Sequence, residues 1–181
     1  KASETDQAGR TATFGYDAAG SLKDVTDAKG GVTSFNYDEV GNRLTHTDPN
    51  GNTKRWYYDN LGRVVKHTLP QGAAEETYVY DPNGNVVAKS DFNGHTVEYD
   101  YDGYNRLTKK TYPDGSEVLF TYTDNGRRET VTDARGITEY AYDNLNRVVK
   151  VTNPDGTEIA YTYDAKGNRT SVTVPSGKTD Y

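Results

Sequence analysis

The sequence predicts an all-β protein of tandem hairpins that form a curved, open antiparallel sheet. A Tyr followed by a Gly- or Asn-centred turn recurs eight times, at steps of 20 to 22 residues, and the residue after the Tyr is Asp in seven of the eight copies. Each copy holds two short extended runs between turns, and no stretch shows helical periodicity. The repeated tyrosines are Tyr16, Tyr37, Tyr58, Tyr80, Tyr101, Tyr122, Tyr142 and Tyr163. Such an array builds a surface or a wall more readily than a single catalytic pocket.

A second aromatic residue stands two positions before each repeated Tyr. Residues two apart on a strand point to the same side of a sheet, so 16 of the 21 aromatic residues are expected on one face. The pairs are Phe14/Tyr16, Phe35/Tyr37, Trp56/Tyr58, Tyr78/Tyr80, Tyr99/Tyr101, Phe120/Tyr122, Tyr140/Tyr142 and Tyr161/Tyr163. Position six after the Tyr, for example Leu22 or Arg43, is the expected cross-strand partner of that Tyr. A register shifted by one residue would move that partner to the other face.

The turns account for the Pro, Gly and Asp residues. A type I turn accepts Pro at its second position, and Gly at its fourth supplies the left-handed residue of a bulge. The turn glycines form two alternating sets, which we call phases. The first phase lies in the turns between repeats, and the second lies in the turns that follow the repeated Tyr. The first phase holds Gly9, Gly30, Gly51, Gly72, Gly94, Gly115, Gly136, Gly156 and Gly177, and the second holds Gly20, Gly41, Gly62, Gly84, Gly126 and Gly167, with Asn105 and Asn146 in its gaps.

Asp opens almost every turn of the second phase. Its carboxylate is expected to accept hydrogen bonds from backbone N–H groups two residues further on. The residues concerned are Asp17, Asp38, Asp59, Asp81, Asp102, Asp143 and Asp164, and Thr123 breaks the pattern.

The composition excludes several classes of protein. The chain has 181 residues, a formal net charge of −6 and 33% hydrophobic residues. No apolar run approaches the roughly 20 residues of a membrane-spanning helix. The mildly acidic net charge gives no basic surface of the kind that binds nucleic acid. The absence of Cys excludes disulfides, thiol nucleophiles and thiolate metal sites.

We expect residues 1–181 to form a single array of eight hairpin repeats with sixteen strands. A twisted open sheet of more than about 10 strands has to curl or split, and the second side of these strands is too polar for a thick sandwich core. The array is therefore expected to be one segment of a larger hollow or spiral body. The turns at Gly9 and Gly177 share one phase, as in a piece cut from a longer array.

The segment 58–72 resembles the YD repeat of the Rhs family: Tyr-Asp-Asn-Leu-Gly-Arg-Val is followed, ten residues after the Tyr, by Thr-Leu-Pro-Gln-Gly. Segments 37–44 and 163–169 match another common sequence variant of the repeat, and the resemblance covers essentially the whole chain. The family includes bacterial Rhs toxins, the B and C components of insecticidal toxin complexes, and animal teneurins. The resemblance implies a large β-sheet shell, which in the toxins encloses a variable C-terminal toxic domain.

Two Asp-Pro-x-Gly segments, 48–51 and 81–84, are similar to motifs of the self-cleaving aspartyl protease element in Rhs-type toxins. Both lie in the repeat's own turn phases, where the turn explains Pro and Gly, and both lack the apolar, Asn- and Tyr-rich surroundings of the family's cleavage region. They also begin like a calcium loop, but without its sixth-position Gly or its closing Glu. We interpret Asp48 and Asp81 as turn residues.

The three histidines do not form a convincing site. His46 and His67 share a phase in neighbouring repeats, about 10 Å apart, which is too far for a shared metal without a third ligand between them. His95 lies in a different phase. Equivalent positions in other repeats hold Val25, Lys89, Lys110 and Val131. No Ser-His-acid trio or phosphate-cradling loop is identifiable, so we predict no catalytic, cofactor-binding or metal site.

The predicted function is that of a non-catalytic segment of an Rhs-type shell that encapsulates a C-terminal toxin or cargo polypeptide. Its expected partner is the remainder of the same polypeptide, and the resemblance implies a secreted or cell-surface location. The alternative is an extracellular adhesion module that binds glycans or a surface protein, because rows of Tyr can stack on sugar rings.

Overall fold

Eighteen β-strands make up almost all the regular structure of the described residues. The computed structural model describes residues 2–72 and 74–181. The strands are β1 Ser3–Thr5, β2 Thr11–Tyr16, β3 Leu22–Thr26, β4 Val32–Tyr37, β5 Arg43–Thr47, β6 Thr53–Tyr58, β7 Val64–Thr68, β8 Glu75–Tyr80, β9 Val86–Ser90, β10 Thr96–Tyr101, β11 Leu107–Thr111, β12 Glu117–Tyr122, β13 Arg128–Asp133, β14 Gly136–Tyr142, β15 Val148–Thr152, β16 Glu158–Tyr163, β17 Arg169–Val174 and β18 Gly177–Asp180. A short 3₁₀ turn spans Pro70–Gly72.

The chain divides into two compact units. The first runs up to Asp81 and includes Ala88–Thr96, and the second comprises Pro82–Val87 and Val97–Tyr181. In the first unit, strands β1 to β8 follow one another as an antiparallel meander in which each strand pairs with the next in sequence. In the second unit, β10 to β18 do the same.

The predicted fold class is confirmed, because both units are all-β, open and antiparallel with hairpin connections. The strand count is eighteen rather than the predicted sixteen, because the residues at each end of the array also pair: Ser3–Thr5 with β2 and Gly177–Asp180 with β17. Outer faces of antiparallel sheets can stay in contact with water. Accordingly, the described residues bury no apolar side chain, and each unit is a single layer.

The turns have the predicted backbone geometry at most positions. In the turn after Tyr58, the N–H of Gly62 donates to the carbonyl of Asp59 at 3.0 Å, and the N–H of Asp59 donates to the carbonyl of Arg63 at 2.9 Å. Gly62 has φ +75°, the left-handed conformation that Gly adopts at little cost. Asn105 and Asn146 take the same conformation at φ +60° and +62°. This is a type I turn closed by a Gly bulge, as predicted.

Two turns of the first phase differ from that prediction. Asp133 pairs directly with Gly136, and Val174 with Gly177, so each hairpin closes on a two-residue loop. These glycines have φ of +123° and +151°, outside the left-handed helical region. At Gly136 the cause is a deletion, because the step from Tyr122 is 20 residues and one turn residue is missing.

The opposite change occurs at the 22-residue step. The N–H of Leu69 donates to the carbonyl of Ala74 at 2.9 Å, one residue further along than in the other turns. Gln71 absorbs the extra residue by taking φ +63° beside Gly72 at φ +67°. Insertions and deletions are thus confined to turns, so the strands keep their alternation of faces.

The strand register agrees with the prediction. In every described pairing, the repeated Tyr lies opposite the residue six positions after it, for example Tyr16 opposite Leu22 and Tyr37 opposite Arg43. One feature was not predicted: a β-bulge follows immediately, because Gly15 pairs with Asp24 and leaves Lys23 as the extra residue. The same shift recurs at the equivalent position of the other first strands. Bulges of this kind increase the local twist of a strand pair.

Candidate functional surface

Each unit presents two chemically different faces. The aromatic face is the side that carries the aromatic pairs and their cross-strand partners, as in Trp56 opposite His67 and Phe120 opposite Val131. The polar face carries the residues between them, as in Thr121 opposite Thr130. Exposed large apolar side chains also occur at turn tips, Tyr104 being 83% exposed. With no enclosed core, any function of the described residues depends on these faces and rims.

Each repeated Tyr from Tyr37 onward bonds to the repeat before it. Its hydroxyl donates to the backbone carbonyl of position six in the preceding repeat at 2.7 to 2.9 Å. The donor–acceptor pairs are Tyr37–Leu22, Tyr58–Arg43, Tyr80–Val64, Tyr101–Val86, Tyr122–Leu107, Tyr142–Arg128 and Tyr163–Val148. Partial burial raises the pKa of Tyr58 and of Tyr142. We call this row of bonds the tyrosine ladder.

Three arginines reinforce the ladder at alternate repeats. In the first, the Arg63 guanidinium pairs with Asp59 of its own turn at 2.7 Å and lies 4.4 Å from the ring centre of Tyr80 in the next repeat. Arg106 and Arg147 repeat the arrangement over the rings of Tyr122 and Tyr163, at 4.7 and 4.6 Å. Each guanidinium therefore combines an ion pair with a cation–π contact. The other five repeats carry Ser21, Asn42, Asn85, Arg127 and Asn168 at this position.

The predicted carboxylate bonds within the turns are confirmed at six of the seven Asp residues for which they were predicted. Oδ1 of Asp59 accepts from the N–H of Leu61 at 2.9 Å and of Arg63 at 3.0 Å. The bond from the Arg63 N–H lowers the pKa of Asp59. The same pair of N–H bonds is made by Asp17, Asp38, Asp102, Asp143 and Asp164. At Thr123 the side-chain hydroxyl takes the place of the Asp carboxylate and accepts a hydrogen bond from the Arg127 N–H at 3.0 Å.

Asp48, the first residue of one Asp-Pro-x-Gly segment, lies in such a turn. Its Oδ1 accepts from the N–H of Asn50 and of Asn52, both at 2.9 Å, and its Oδ2 accepts from the Asn52 side chain at 2.9 Å. That side-chain bond is the main reason why the pKa of Asp48 is lowered. A carboxylate satisfied by three turn donors is held in its charged form.

Two histidines of the first unit stack on aromatic rings. His46 lies on Phe35 with ring centres 5.1 Å apart, and His67 lies on Trp56 at 4.8 Å, both nearly parallel. Phe92 meets His67 edge-on at 5.3 Å. His67 Nε2 is buried without a hydrogen-bond partner among the described residues, and burial lowers the pKa of His67.

An ionic cluster adjoins His67 on the aromatic face. Glu76, the cross-strand neighbour of His67, pairs with Lys89 Nζ at 2.8 Å and accepts a short hydrogen bond from the Tyr78 hydroxyl. Partial burial acts to raise the pKa of Glu76, but the bonds from Lys89 and Tyr78 outweigh it and the pKa is lowered. Lys89 and Tyr78 thus hold the Glu76 carboxylate in its charged form.

The structure does not bring the histidines together with acidic residues as metal ligands. Strand β6 runs between His46 and His67, and His95 lies in a different turn, 3.6 Å from Asp91. Among the described residues there is no group of three or more His, Asp or Glu side chains that could hold a metal ion. Within the same residues, no helix has the length and apolarity needed to cross a membrane.

Comparison with known proteins supports a repeat shell. The family model described as Teneurin YD-shell matches residues 1–147, and the model described as RHS Repeat matches residues 142–179. No curated protein sequence matches the chain. Together, the two family matches cover residues 1–179, and the whole tyrosine ladder lies within them.

Solved structures share the fold. A Tc holotoxin pore from Photorhabdus luminescens is 19% identical with a TM-score of 0.73, over 95% of this chain and 11% of that one. The TcdB2-TccC3-Cdc42 structure is 16% identical with a TM-score of 0.61, over 95% of this chain and 12% of that one. The TcdB2-TccC3 structure is 15% identical with a TM-score of 0.59, over 91% and 12%.

The chain thus spans about a tenth of the length of these structures, and at these identities the likeness concerns the fold alone. The family follows from the sequence models, since the first covers well over half of the chain. The tyrosine ladder and the Asp-capped turns explain physically why the Tyr-Asp pair repeats. On these grounds the chain belongs to the Teneurin YD-shell family, as its resemblance to YD repeats predicts.

Proposed function

We propose that this chain is a non-catalytic wall segment of a YD-repeat shell, and that the shell encloses a cargo segment of the same polypeptide. Residues 1–181 act in this proposal as one continuous array within a curved wall. The observation that carries it is the tyrosine ladder, which bonds each repeat to the one before through a backbone carbonyl. Because the acceptor is a carbonyl, the bond is indifferent to the side chain at position six, and a wall of any length can be built.

The mechanism is exclusion. A single-layer wall of antiparallel strands satisfies its own backbone groups and separates the segment it encloses from proteases and other proteins. The wall is polar on one side and aromatic on the other, so it can accompany an unfolded segment without a specific pocket. No reacting group is needed, and the Asp and Glu carboxylates described above accept turn hydrogen bonds or pair with cations.

Glycan adhesion is less well supported by the contacts. Sugar rings stack on free aromatic faces, whereas guanidinium groups cover the rings of Tyr80, Tyr122 and Tyr163. The hydroxyls of these same tyrosines are already donated to carbonyl groups. These rings therefore serve the wall rather than a carbohydrate.

We place the parent polypeptide outside the producing cell or on its surface, since two of the structures that share the fold combine TcdB2 with TccC3 and a third is a holotoxin pore. The test is limited proteolysis of the polypeptide that contains this chain, followed by intact mass measurement. The expected result is a discrete segment that survives inside the folded protein and is digested once urea opens it. Equal digestion of all segments beyond the array in the native state would overturn the proposal.

A further inference from the structure

The aromatic face of the second unit carries three cations that have no carboxylate partner among the described residues. Lys110 Nζ lies 5.8 Å from the ring centre of Tyr99, Arg128 lies 4.8 Å from that of Phe120, and Arg169 lies 6.0 Å from that of Tyr161. Strand pairing places all three on the aromatic side, because each lies directly opposite an aromatic residue. The pairs are Lys110 with Tyr99, Arg128 with Tyr122 and Arg169 with Tyr163. Arg128 and Arg169 are exposed to solvent.

The lysines on the polar face of the same unit are all paired. Lys109 contacts Asp100 and Glu117 at 3.3 Å, Lys150 contacts Glu158 at 2.8 Å, and Lys178 contacts Asp180 at 2.6 Å. The acidic strand residues of this unit concentrate on that face as well. They are Glu98, Asp100, Glu117, Glu139, Glu158 and Asp180.

The two faces of the second unit therefore have opposite electrostatic character, although the chain as a whole is acidic at −6. The described aromatic-face residues of the strands include one carboxylate, Asp133, which pairs with Arg135 at the strand end at 2.7 Å. Packing alone does not require this separation, because an uncharged long side chain could cover the same rings. Uncompensated cations on a surface attract a ligand of opposite charge.

We propose that the aromatic face of the second unit binds an acidic polypeptide segment, in which Asp or Glu residues alternate with apolar ones. The carboxylates pair with Lys110, Arg128 and Arg169. The apolar residues pack on the aromatic rings and on the aliphatic side chains between them, such as Val131 and Val151. This inference rests on the proposed shell function, and it assigns the aromatic face to the enclosed cargo.

Charge complementarity and spacing favour a polypeptide over a nucleic acid. The three cations are dispersed over β11, β13 and β17 with aliphatic residues between them, whereas nucleic acids are met by clustered Lys and Arg. A polypeptide can place single carboxylates among apolar side chains to match this pattern. Single-stranded DNA, which also stacks on aromatic rings, is the competing ligand in the test.

The experiment measures binding of labelled peptides to the full chain by fluorescence anisotropy. The probes are a peptide of repeating Glu-Gly-Leu-Ser units, the same peptide with Lys in place of Glu, and oligo-dT. The test variant replaces Lys110, Arg128 and Arg169 with Gln. The matched control replaces Lys109, Lys150 and Lys178 with Gln, which changes the net charge equally but alters the polar face. Circular dichroism confirms that both variants keep the β-sheet signal.

The Glu peptide is expected to bind, with Kd raised about tenfold in the test variant and much less in the control, because three exposed ion pairs are lost. Loss of the β-sheet signal would require the milder Arg128→Lys and Arg169→Lys pair, which keeps the charge and should keep the affinity. Equal effects of both triple variants, or stronger binding of the Lys peptide or of oligo-dT, would overturn the inference. Peptide binding without a protected cargo in the parent would instead contradict only the shell function.

Discussion

On their aromatic faces, the two units pair the same two positions of the repeat across neighbouring strands, but different residue types occupy these positions. The pair consists of the first aromatic of a repeat and position nine beyond its Tyr. In the first unit two of these pairs are stacked rings, Phe35 with His46 and Trp56 with His67, while Phe14 pairs with Val25. In the second unit it includes Phe120 with Val131, an aromatic opposite an aliphatic side chain.

The tyrosine ladder is the same in both units, so the contrast separates what the architecture requires from what it tolerates. The ladder uses a hydroxyl and a backbone carbonyl, and its hydrogen-bond lengths stay within 2.7 to 2.9 Å throughout. The side-chain pair at the neighbouring position only has to cover the sheet surface. Rings, lysines and valines all do so, because an open face imposes no fixed volume.

The largest expected effect comes from breaking the stacked pair of the first unit. Trp56→Ala removes the ring that contacts His67 at 4.8 Å and Arg43 at 4.2 Å. We expect a loss of about 2–3 kcal/mol in the free energy of unfolding, below the value for a fully buried Trp. Urea titration followed by circular dichroism measures it. Tyr140→Ala in the second unit is the control and should cost about 1 kcal/mol less, since Val151 offers no ring to stack on.

The tyrosine ladder should respond equally in both units. Tyr58→Phe and Tyr122→Phe each remove one hydroxyl donor, at 2.9 and 2.7 Å from its carbonyl acceptor. We expect each to lower the free energy of unfolding by about 1 kcal/mol, because a backbone carbonyl loses its hydrogen-bond donor. A difference larger than the loss itself between the two variants would contradict a ladder that is uniform along the chain.

The arginine contacts should contribute less. Arg147→Lys keeps the charge but loses the planar guanidinium that spans Asp143 and the ring of Tyr163. We expect a loss of about 0.5 kcal/mol. Arg55→Lys, on the polar face of the first unit, is the matched control and should leave the urea midpoint unchanged. Equal shifts in both variants would show that the ring contact contributes nothing.

The smallest expected effect is a pH dependence confined to the first unit. Burial lowers the pKa of His67 from its ordinary value of 6.5, against the opposing influence of Glu76 and with Lys54 and Arg43 nearby. The unfolded chain then binds this proton more readily than the folded one. The stabilisation is present above pH 6.5 and is lost as the pH falls below it, through the folded-state pKa.

His67→Phe keeps a ring on Trp56 and removes the proton site. The urea midpoint of the parent chain should fall as the pH is lowered from about 7.5 to about 5, a range that brackets the ordinary pKa of His, and that of the variant should fall less. Identical pH profiles for the two chains would show that His67 does not carry this dependence.

Much of the fold could be predicted because it depends on interactions within one hairpin. The left-handed residues Gly62, Asn105 and Asn146 were predictable because few other residues adopt positive φ at low cost. The prediction was wrong at Gly136 and Gly177, where two-residue loops replace the bulged turn. Turn type there depends on loop length as well as on the Gly, and the 20-residue step after Tyr122 carries the signal of the shorter loop at Gly136.

The sequence by itself determined the repeat, the hairpin turns and the segregation of aromatic residues to one face, since the period of two along a strand and the φ of each turn residue are local properties. Only the tertiary structure decided the tyrosine ladder, the bulge beside each Tyr, and the contacts of Arg147 with the next repeat and of Lys110 with the ring of its paired strand. The ladder and the Arg147 contact depend on the twist and stagger between neighbouring repeats, which no single hairpin specifies. The bulge and the Lys110 contact depend on the exact pairing geometry within a hairpin, which the alternation of residues does not give.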